Sequence, residues 1–389
     1  MNNLADIETR TRYAVDGIVP DAVALPSDPA EVAESLRSAA SQGTVVVPWG
    51  AGTKQDLGNP IQQCGLVLSL ERLNRVVEYV PADMTITVEA GMRLADLQAL
   101  TAPHGQTVAL DPPHADRATM GGIAATASCG PRRMAYGGVR DLLLGCRVAL
   151  ADGRLIKAGG KVVKNVAGYD LTKLMIGSLG TLGIITEVSL RLRPVAADRR
   201  TLLFGFSVLE EALDAAEKVM RSELLPAAVT VLSPLAARRL QAPGEWSLAL
   251  ALEESVENNA YQTGRLKEMF GGAVEAQPSF WDNVANYGDC FGAAFRLKIS
   301  TTISDLANQL RGAGALESVV YADSGTVLLY GFAPEAARTG AVLESGPVAL
   351  RKQFDVWGPP RPEWKLTERL KQTFDPARIL NRGRYVGGI

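Results

Sequence analysis

The sequence predicts an α+β protein with two domains, and three observations support this. Its length of 389 residues exceeds the usual size of one domain. Short apolar strands alternate with helices over the first half, a pattern that suits an α/β arrangement. From Thr201 onward the strands and helices are mixed in a way that favours a second domain of α+β type. Pro194 and the following Ala-Ala-Asp-Arg-Arg mark the expected boundary.

The composition excludes several classes of function. Forty basic residues against 42 acidic ones give a formal net charge of −2, which offers no electrostatic case for a nucleic-acid partner. The hydrophobic content of 47% and charged content of 21% are ordinary for a globular protein. The N-terminus lacks the pattern of a signal peptide, and no apolar run is long enough to span a membrane. We therefore expect a cytoplasmic protein, peripheral to the inner face of a membrane at most through its partners.

Neither the cysteines nor the histidines form a recognisable metal site. The spacing of the cysteines is too wide for a zinc knuckle or an iron–sulfur site, so we expect reduced and mostly buried thiols. The two histidines are interpreted as structural or surface residues, and no histidine follows the second one. The residues concerned are Cys64, Cys129, Cys146, Cys290, His104 and His114. We expect no bound metal.

The first domain contains a regular series of predicted elements. Asp28 caps a helix with Pro29 in its first turn, and Val32 and Leu36 recur on one face. A hairpin is expected to use Asp152-Gly153 as its positive-φ turn residues. The predicted strands are 44–47, 66–70, 85–90 and 183–192, the predicted helices 28–39, 93–100 and 164–174 (with Gly168 at a close contact), and the hairpin 147–157.

The second domain is predicted to mix strands and helices. The predicted strands are 202–206, 229–232, 246–250, 295–300 and 326–330, and the predicted helices are 209–220, 258–269 and 303–310. In the strand at 295–300, Arg296 and Lys298 alternate onto one face. These two side chains are candidates for binding a carboxylate, and exposed strand positions explain them equally well.

A glycine-rich turn, from Pro48 to Gln55, follows the strand at 44–47. Such a turn can point successive backbone N–H groups at one anion, and Thr53 adds a hydroxyl donor. The glycines are misplaced for the dinucleotide fingerprint, and no G-K-[ST] follows as in a Walker loop. Taken alone, an ordinary turn at a strand end is the simpler interpretation, and a phosphate site is the alternative.

A second cluster of small residues surrounds Gly121-Gly122. Pro112 and Pro113 force extended backbone and lead the chain into the run 118–128. Paired glycines allow another body to approach the backbone closely, since no Cβ stands in the way. The approaching body is either a flat or phosphorylated ligand or a second backbone. Small residues recur at 136–138 and at 177–183.

In this order the motifs resemble the FAD-linked oxidase family of the vanillyl-alcohol-oxidase type, closely from about Pro48 to Pro194 and loosely afterwards. The resemblance implies a PCMH-type FAD-binding domain of two subdomains at 1–195 and a smaller α+β (ferredoxin-like) cap domain at 196–370. It also implies a C-terminal segment at 371–389 that returns to the FAD domain. In that segment Arg382 stands where the family usually has a proline after its asparagine.

The resemblance also implies a set of cofactor-binding residues. The turn after Pro48 is expected to carry the diphosphate of FAD, the run around Gly122 to face its diphosphate and ribityl parts, and Ile184 to meet its adenine end. The expected residues are Pro48, Gly50, Ala51, Gly52, Thr53, Lys54, Gln55, Asp111, Thr119, Gly121, Gly122, Ala125, Thr126, Ser128, Tyr136, Gly180, Ile184 and Ile185. We expect non-covalent FAD, because Lys54-Gln55 replaces the histidine to which some relatives attach the flavin.

Two departures from the family bear on activity. Relatives that oxidise D-2-hydroxy acids carry a histidine-rich, acidic metal cluster in the cap, and this cap has no histidine. Leu179 stands where those relatives have a glutamate. The resemblance then implies a FAD-binding subunit of a glycolate (2-hydroxy acid) oxidase complex, working by electron transfer beside a homologous catalytic flavin subunit and an iron–sulfur subunit.

Two alternatives stay open at this point. One is a self-sufficient FAD-dependent dehydrogenase of a small 2-hydroxy acid, whose base is a tyrosine, lysine or glutamate of the cap, such as Tyr287 or Tyr330. The other is a non-catalytic assembly subunit that keeps the fold without the flavin. Catalytic residues are not assigned.

Overall fold

The computed structural model describes residues 3–4, 6–160, 170–314, 316–331, 341–353 and 355–389. The chain divides into two compact units, the first formed by 1–128, 138–194 and 348–389 and the second by 129–137 and 195–347. The division after Pro194 lies next to the boundary expected from the sequence. The expected domain bounds stay a proposal, and two segments, 129–137 and 348–370, belong to a different unit from the one expected.

Both segments are held by buried or partly buried hydrogen bonds within their own unit. Residues 348–370 were expected in the cap, yet Arg351 bonds to the Gly58 carbonyl and to Asp16 in the first unit. Residues 129–137 were expected in the FAD domain, yet Arg132 bonds to Glu253 in the second unit. Long-range polar contacts of this kind leave no local pattern in the sequence.

The first unit contains three sheets and a set of mostly short helices. Its strands are β1 (Asn3–Leu4), β2 (Ala22–Ala24), β3 (Val46–Trp49), β4 (Leu66–Ser69), β5 (Val76–Val80), β6 (Thr85–Glu89), β7 (Gln106–Thr107), β8 (Leu143–Ala149), β9 (Leu155–Gly159), β10 (Ile184–Arg191) and β11 (Arg193–Pro194). Its helices are Ile7–Thr11, Pro29–Gln42, Leu94–Thr101, Met120–Thr126, Val139–Leu142, Leu171–Met175, Val348–Arg351 and Trp364–Phe374, with 3₁₀ turns at Pro81–Asp83, Ala102–His104 and Val386–Gly388.

The two larger sheets of the first unit differ in type. One sheet has the order β1-β2-β4-β3, in which β2 and β3 both run parallel to β4. The other has the order β5-β6-β10-β8-β9 and is antiparallel throughout. A short third pair joins β11 to β7. Buried aliphatic side chains such as Leu36, Val46 and Val188 fill a common core.

The first long helix forms as its sequence predicts. Asp28 caps it by accepting a hydrogen bond from the Glu31 amide, and Gly43, with φ of +66°, ends it. The strand after it begins later than expected, at Val46, because the Thr44 amide still donates to Ala39 of the helix end.

The connection between β8 and β9 is longer than the turn that the sequence predicts. Only Gly153 of the pair Asp152-Gly153 has positive φ, because the connection between β8 and β9 spans 150–154 and is not a two-residue turn. The helix predicted at 164–174, with Gly168, lies largely outside the described residues. Its described part is the helix Leu171–Met175, which Asp170 caps.

The second unit is built on one eight-stranded antiparallel sheet. Its strands are β12 (Asp198–Phe206), β13 (Ala228–Leu232), β14 (Trp246–Glu254), β15 (Val274–Glu275), β16 (Phe295–Ser300), β17 (Glu317–Tyr321), β18 (Thr326–Gly331) and β19 (Val342–Ser345). Its helices are Arg133–Tyr136, Leu209–Met220, Pro234–Arg239, Val256–Phe270, Phe280–Ala285, Tyr287–Phe291 and Leu306–Arg311, with 3₁₀ turns at Ile303–Asp305 and Ala322–Ser324.

The strand order shows that this sheet is a duplicated motif. The order is β15-β12-β14-β13-β17-β18-β16-β19. Within the first four strands the fourth, first, third and second lie side by side, which is the ferredoxin-like order. The last four strands repeat this order in reverse, and the halves meet where Val231 of β13 pairs with Val320 of β17. The predicted α+β cap is therefore two ferredoxin-like sheets joined edge to edge.

Candidate functional site

The first unit contains a cleft with about 860 Å³ of empty space, part of it open to solvent. Its walls come from the glycine-rich turn after β3, the run around Gly122, the turn before β10 and the C-terminal turn. The lining residues are 48–55, Leu70, Pro113, Ala118, Thr119, 121–123, Ala125, Thr126, Ser128, Leu179, Gly180, 183–185, Asn381 and Arg384.

All the residues expected from the sequence line this cleft except Asp111 and Tyr136. Asp111 is half-buried in the loop that leads to Pro113. Tyr136 belongs to the second unit, where its hydroxyl donates to Oε2 of Glu253 at 2.7 Å. Burial and the Glu253 carboxylate raise the pKa of Tyr136 above its ordinary value. Within its own unit, that hydrogen bond fixes the ring of Tyr136, and its expected role in binding the cofactor stays a prediction.

The glycine-rich turn is shaped by two glycines. A Cβ on Gly50 would lie 2.3 Å from Oγ1 of Thr119, so a larger residue would require Thr119 or the turn to shift. Gly52 has φ of +74°, a conformation that L-residues rarely adopt. Within the described residues, the N–H groups of Ala51, Gly52 and Thr53 donate to no backbone carbonyl. Three neighbouring donors beside a cleft are what an anionic diphosphate requires.

The paired glycines have different roles. Gly121 packs against Ala90: a Cβ would lie 2.7 Å from that of Ala90, and its amide donates to the Ala90 carbonyl at 2.8 Å. At Gly121 the approaching body is therefore a second backbone, one of the two alternatives that the sequence allowed. Gly122 would meet only Thr119 Oγ1 within 4 Å, so one face of it is open. Thr119 caps the short helix by accepting from the Gly122 amide.

The turn before β10 closes the cleft from the other side. Leu179 has φ of +53°, which is unusual for a residue with a branched side chain. Its amide donates to the Ala125 carbonyl at 2.8 Å, which fixes the conformation. A Cβ on Gly180 would lie 2.7 Å from Pro48, so the turn packs directly on the end of β3. Ile184 and Ile185 are buried at the start of β10.

The C-terminal turn contributes two lining residues that the sequence reasoning missed, Asn381 and Arg384. Both side chains are buried. Arg384 donates from Nη1 to the carbonyls of Gln55 and Leu57, at 2.7 and 2.8 Å. The available signal was the polar sequence Asn381-Arg382-Gly383-Arg384 in a segment expected to return to this domain.

The ionisable side chains among the described lining residues are both cationic, namely Lys54 and Arg384. Burial lowers the pKa of Arg384 to about 10, so the guanidinium stays protonated at neutral pH. The cleft therefore combines free backbone donors, two cations and apolar walls, a set that suits a large ligand with an anionic centre.

The tyrosines considered as bases lie fully buried in the core of the second unit. Tyr287 donates its hydroxyl hydrogen bond to Glu317, and burial raises its pKa. Burial also raises the pKa of Tyr330 to about 12. A general base works best with a pKa near the operating pH, so neither hydroxyl has the property of one.

The carboxylate expected at Arg296 and Lys298 comes from the chain itself. Glu344 lies 3.0 Å from Nε of Arg296 and 3.5 Å from Nζ of Lys298. The alternative that both are exposed was wrong for Arg296, which is 8% exposed, because β16 lies between β18 and β19.

The remaining reactive residues lie outside the cleft lining. His104 packs its ring edge-on to Tyr79 at 5.2 Å, and Nδ1 of His114 lies 3.1 Å from Arg117. Cys64 and Cys146 are buried and Cys290 is exposed. In the described ranges no group of His, Cys, Asp and Glu side chains is arranged to hold a metal. Nor is any described helix both long and apolar enough to cross a bilayer.

Comparison with known proteins identifies the ligand class. A family model described as "FAD binding domain" matches residues 20–159, and one described as "FAD linked oxidases, C-terminal domain" matches 359–385. The chain is 34% identical to glycolate oxidase subunit GlcD of Bacillus subtilis over 214 residues, 55% of this chain and 46% of that protein. It is 37% identical to glycolate oxidase subunit GlcE of Escherichia coli over 185 residues, 47% of this chain and 52% of that protein.

The solved structure of p-cresol methylhydroxylase with bound substrate shares the fold. Its TM-score with this chain is 0.77 at 15% identity, covering 98% of this chain and 93% of that one. This confirms the PCMH-type α+β fold predicted from the sequence. The chain spans about half the length of the curated relatives that it matches.

Proposed function

This chain belongs to the FAD-linked oxidase family and has FAD as its cofactor, and from this premise we propose that it is the FAD-binding subunit of a glycolate (2-hydroxy acid) oxidase complex. The observation that carries the proposal is the cleft of the first unit, lined by nearly all the residues that the family's motifs select. Its free amides, cations and apolar walls fit the diphosphate and the rings of FAD.

The residues of the cleft would divide the work of holding the cofactor. The amides of Ala51, Gly52 and Thr53 would bind the diphosphate, with Lys54 adding positive charge. Ile184 and Ile185 would provide an apolar surface for the adenine end. When bound, FAD supplies the capacity to accept and pass on electrons. The chain's own contribution is to position the flavin and exclude water from it.

Two observations support a role beside a partner. The chain is similar to two differently named subunits of glycolate oxidase, as expected if the flavin subunits of such a complex are homologous. Tyr287 and Tyr330, two of the candidate bases for a self-sufficient enzyme, are buried and have raised pKa values. We propose a homologous catalytic flavin subunit and an iron–sulfur subunit as partners, with the complex located in the cytoplasm.

The test is an anaerobic visible spectrum of the isolated chain before and after addition of glycolate and D-lactate. We expect an oxidised flavin spectrum that persists with both acids. Rapid bleaching by either acid would instead establish a self-sufficient dehydrogenase. A colourless protein that FAD cannot reconstitute would establish an assembly subunit.

The same preparation tests the attachment of the flavin. The turn holds Lys54-Gln55 where some relatives attach the flavin to a histidine, so we expect denaturation with acid to release all of the flavin into the supernatant. Flavin that stays in the protein pellet would contradict non-covalent binding.

A further inference from the structure

The C-terminal turn is anchored firmly beside the cleft. The backbone N–H of Asn381 donates to the Val46 carbonyl, and that of Val46 donates to the Ile379 carbonyl. The C-terminal turn therefore pairs alongside β3, the strand that leads into the glycine-rich turn. Asp375 accepts from the amides of Ile379 and Leu380. The backbone of this segment is therefore fixed relative to the walls of the cleft.

Asn381 presents a buried acceptor that the protein does not use. Its Nδ2 donates to the Leu179 carbonyl at 2.7 Å, which sets the orientation of the amide. Its Oδ1 is buried and has no hydrogen-bond partner in the described structure, and the residue is 5% exposed. An amide oxygen can only accept, so its partner must bring an N–H or O–H group. Both ends of FAD carry such groups.

Arg384 fixes the glycine-rich turn from behind. It binds the carbonyls of Gln55 and Leu57, while the side chain of Gln55 donates to the Pro48 carbonyl at 3.1 Å. With these carbonyls held on one side, the turn keeps its N–H groups available for an anion.

The charge of Arg384 is only partly compensated. Its Nη2 lies 3.6 Å from Oδ2 of Asp16, a carboxylate that already accepts from Arg351 and, at 2.9 Å, from the Ile61 amide. Neither Nε nor Nη2 of Arg384 has a hydrogen-bond partner among the described residues. Arg384 is only 2% exposed, so water compensates little of its charge. An anion bound nearby would therefore be stabilised by the guanidinium.

We propose that the C-terminal turn is an integral part of the cofactor site, in which Asn381 accepts a hydrogen bond from FAD and Arg384 is a positioning residue that holds the diphosphate-binding turn. This inference deepens the proposed function and depends on its FAD-binding part. It assigns the end of the chain a role in binding as well as in closing the fold.

The experiment measures ligand binding by the full-length apoprotein. FAD is titrated directly by the change in flavin fluorescence, and ADP and riboflavin are titrated as competitors. ADP shares the diphosphate with FAD, whereas riboflavin lacks it. The variants are Asn381→Gly, which suits the positive φ of +43°, Arg384→Met and Arg384→Lys. The control is Arg382→Met, an exposed neighbour outside the cleft lining.

We expect Asn381→Gly to weaken FAD binding about fivefold, as loss of one hydrogen bond implies. Of the two competitors, ADP and riboflavin, only the one that carries the donor to Asn381 should bind more weakly to this variant. Arg384→Met should weaken FAD and ADP about tenfold or more and leave riboflavin unchanged, because a charge-assisted contact to the turn is lost. Arg384→Lys should restore part of the affinity, and Arg382→Met should match the wild type.

Any of four outcomes would overturn the proposal. One is unchanged FAD affinity in both Asn381→Gly and Arg384→Met. Another is an equal loss of ADP and riboflavin binding in Arg384→Met, which would mean a general structural defect. If Arg384→Met does not fold, Arg384→Lys carries the test, and unchanged ADP affinity there counts against positioning. A wild-type chain that binds no FAD would overturn the proposed function itself, and this inference with it.

Discussion

Nζ of Lys371 lies 2.7 Å from Oδ2 of Asp375, and both side chains are almost completely buried. The same ammonium donates to the carbonyls of Thr181 and Leu380, at 2.9 and 2.8 Å. Burial lowers the pKa of Lys371, and the Asp375 carboxylate opposes that effect. One buried cation thus ties the last helix, the turn before β10 and the C-terminal turn together.

We predict that Lys371→Met will be strongly destabilising. The change leaves Asp375 as a buried charge without its partner and removes the donor to two buried carbonyls, so the expected loss is about 3–5 kcal/mol in the free energy of unfolding. Urea unfolding followed by circular dichroism measures it. The control is Lys365→Met, an exposed lysine of the same helix, which should change stability little. Equal effects of the two variants would contradict the role of the buried pair.

We predict that Gly50→Ala will disturb the cleft locally. The new Cβ would lie 2.3 Å from Oγ1 of Thr119, so the threonine or the turn must move, at an expected cost of about 1–3 kcal/mol. FAD affinity should fall about tenfold or more, since the displaced residues line the cleft.

The matched control for that variant is Gly264→Ala. Gly264 is an exposed position inside the helix Val256–Phe270, and no atom lies within 4 Å of its added Cβ. It should stabilise the protein by about 0.5–1 kcal/mol, because alanine is the better helix former. FAD affinity in Gly50→Ala equal to that of the wild type would show that the turn tolerates a side chain.

The parts of the site that the sequence predicts are those whose cause is local. Gly50 lies in the turn directly after a predicted strand, and glycine permits the close contacts and unusual backbone angles of a tight turn, so the motif could be located without a structure. The contact between Asn381 and Leu179 could not be predicted, because their positive φ angles and their mutual hydrogen bond depend on packing between distant segments. A leucine in the left-handed region has no sequence signal, since most leucines avoid it.

In the second unit, too, the features with a local cause could be predicted and those that depend on distant strands could not. The strands Thr326–Gly331 and Phe295–Ser300 could be predicted from their apolar pattern. The duplication of the ferredoxin-like order could not, because it depends on which strands pair, as Val231 does with Val320. The burial of Arg296 likewise follows from a neighbour on each side of β16, and a single strand does not reveal its neighbours.

We predict that Glu344→Ala will destabilise the second unit. Arg296 is 8% exposed and would lose the carboxylate that compensates its charge, so we expect a loss of about 2–4 kcal/mol. Glu344→Gln is the control that keeps a hydrogen-bond acceptor, and it should lose less. Thermal unfolding measures both. If the two variants lose the same amount, the charge of Glu344 does not matter and the ion pair is incidental.

We predict that the thiols differ in reactivity and that stability depends on one of them at alkaline pH. Burial raises the pKa of Cys146 from 9.0 to about 11, so the folded protein keeps this proton at a pH where the unfolded chain loses it. Its contribution to stability is therefore intact below pH 9 and is lost as the pH rises through about 11. Cys290 is exposed and should react first with a thiol reagent at pH 8.

Two variants check this prediction. Cys290→Ser should remove the fastest phase of thiol labelling at pH 8 and leave the slow phase of the buried thiols unchanged. Cys146→Ala should lower stability at pH 8 by leaving a small cavity, and its free energy of unfolding should then fall less steeply between pH 9 and pH 11 than that of the wild type. Parallel curves for the two proteins over that interval would mean that the thiol titrates at its ordinary pKa, and that Cys146 is less protected from water than its burial indicates.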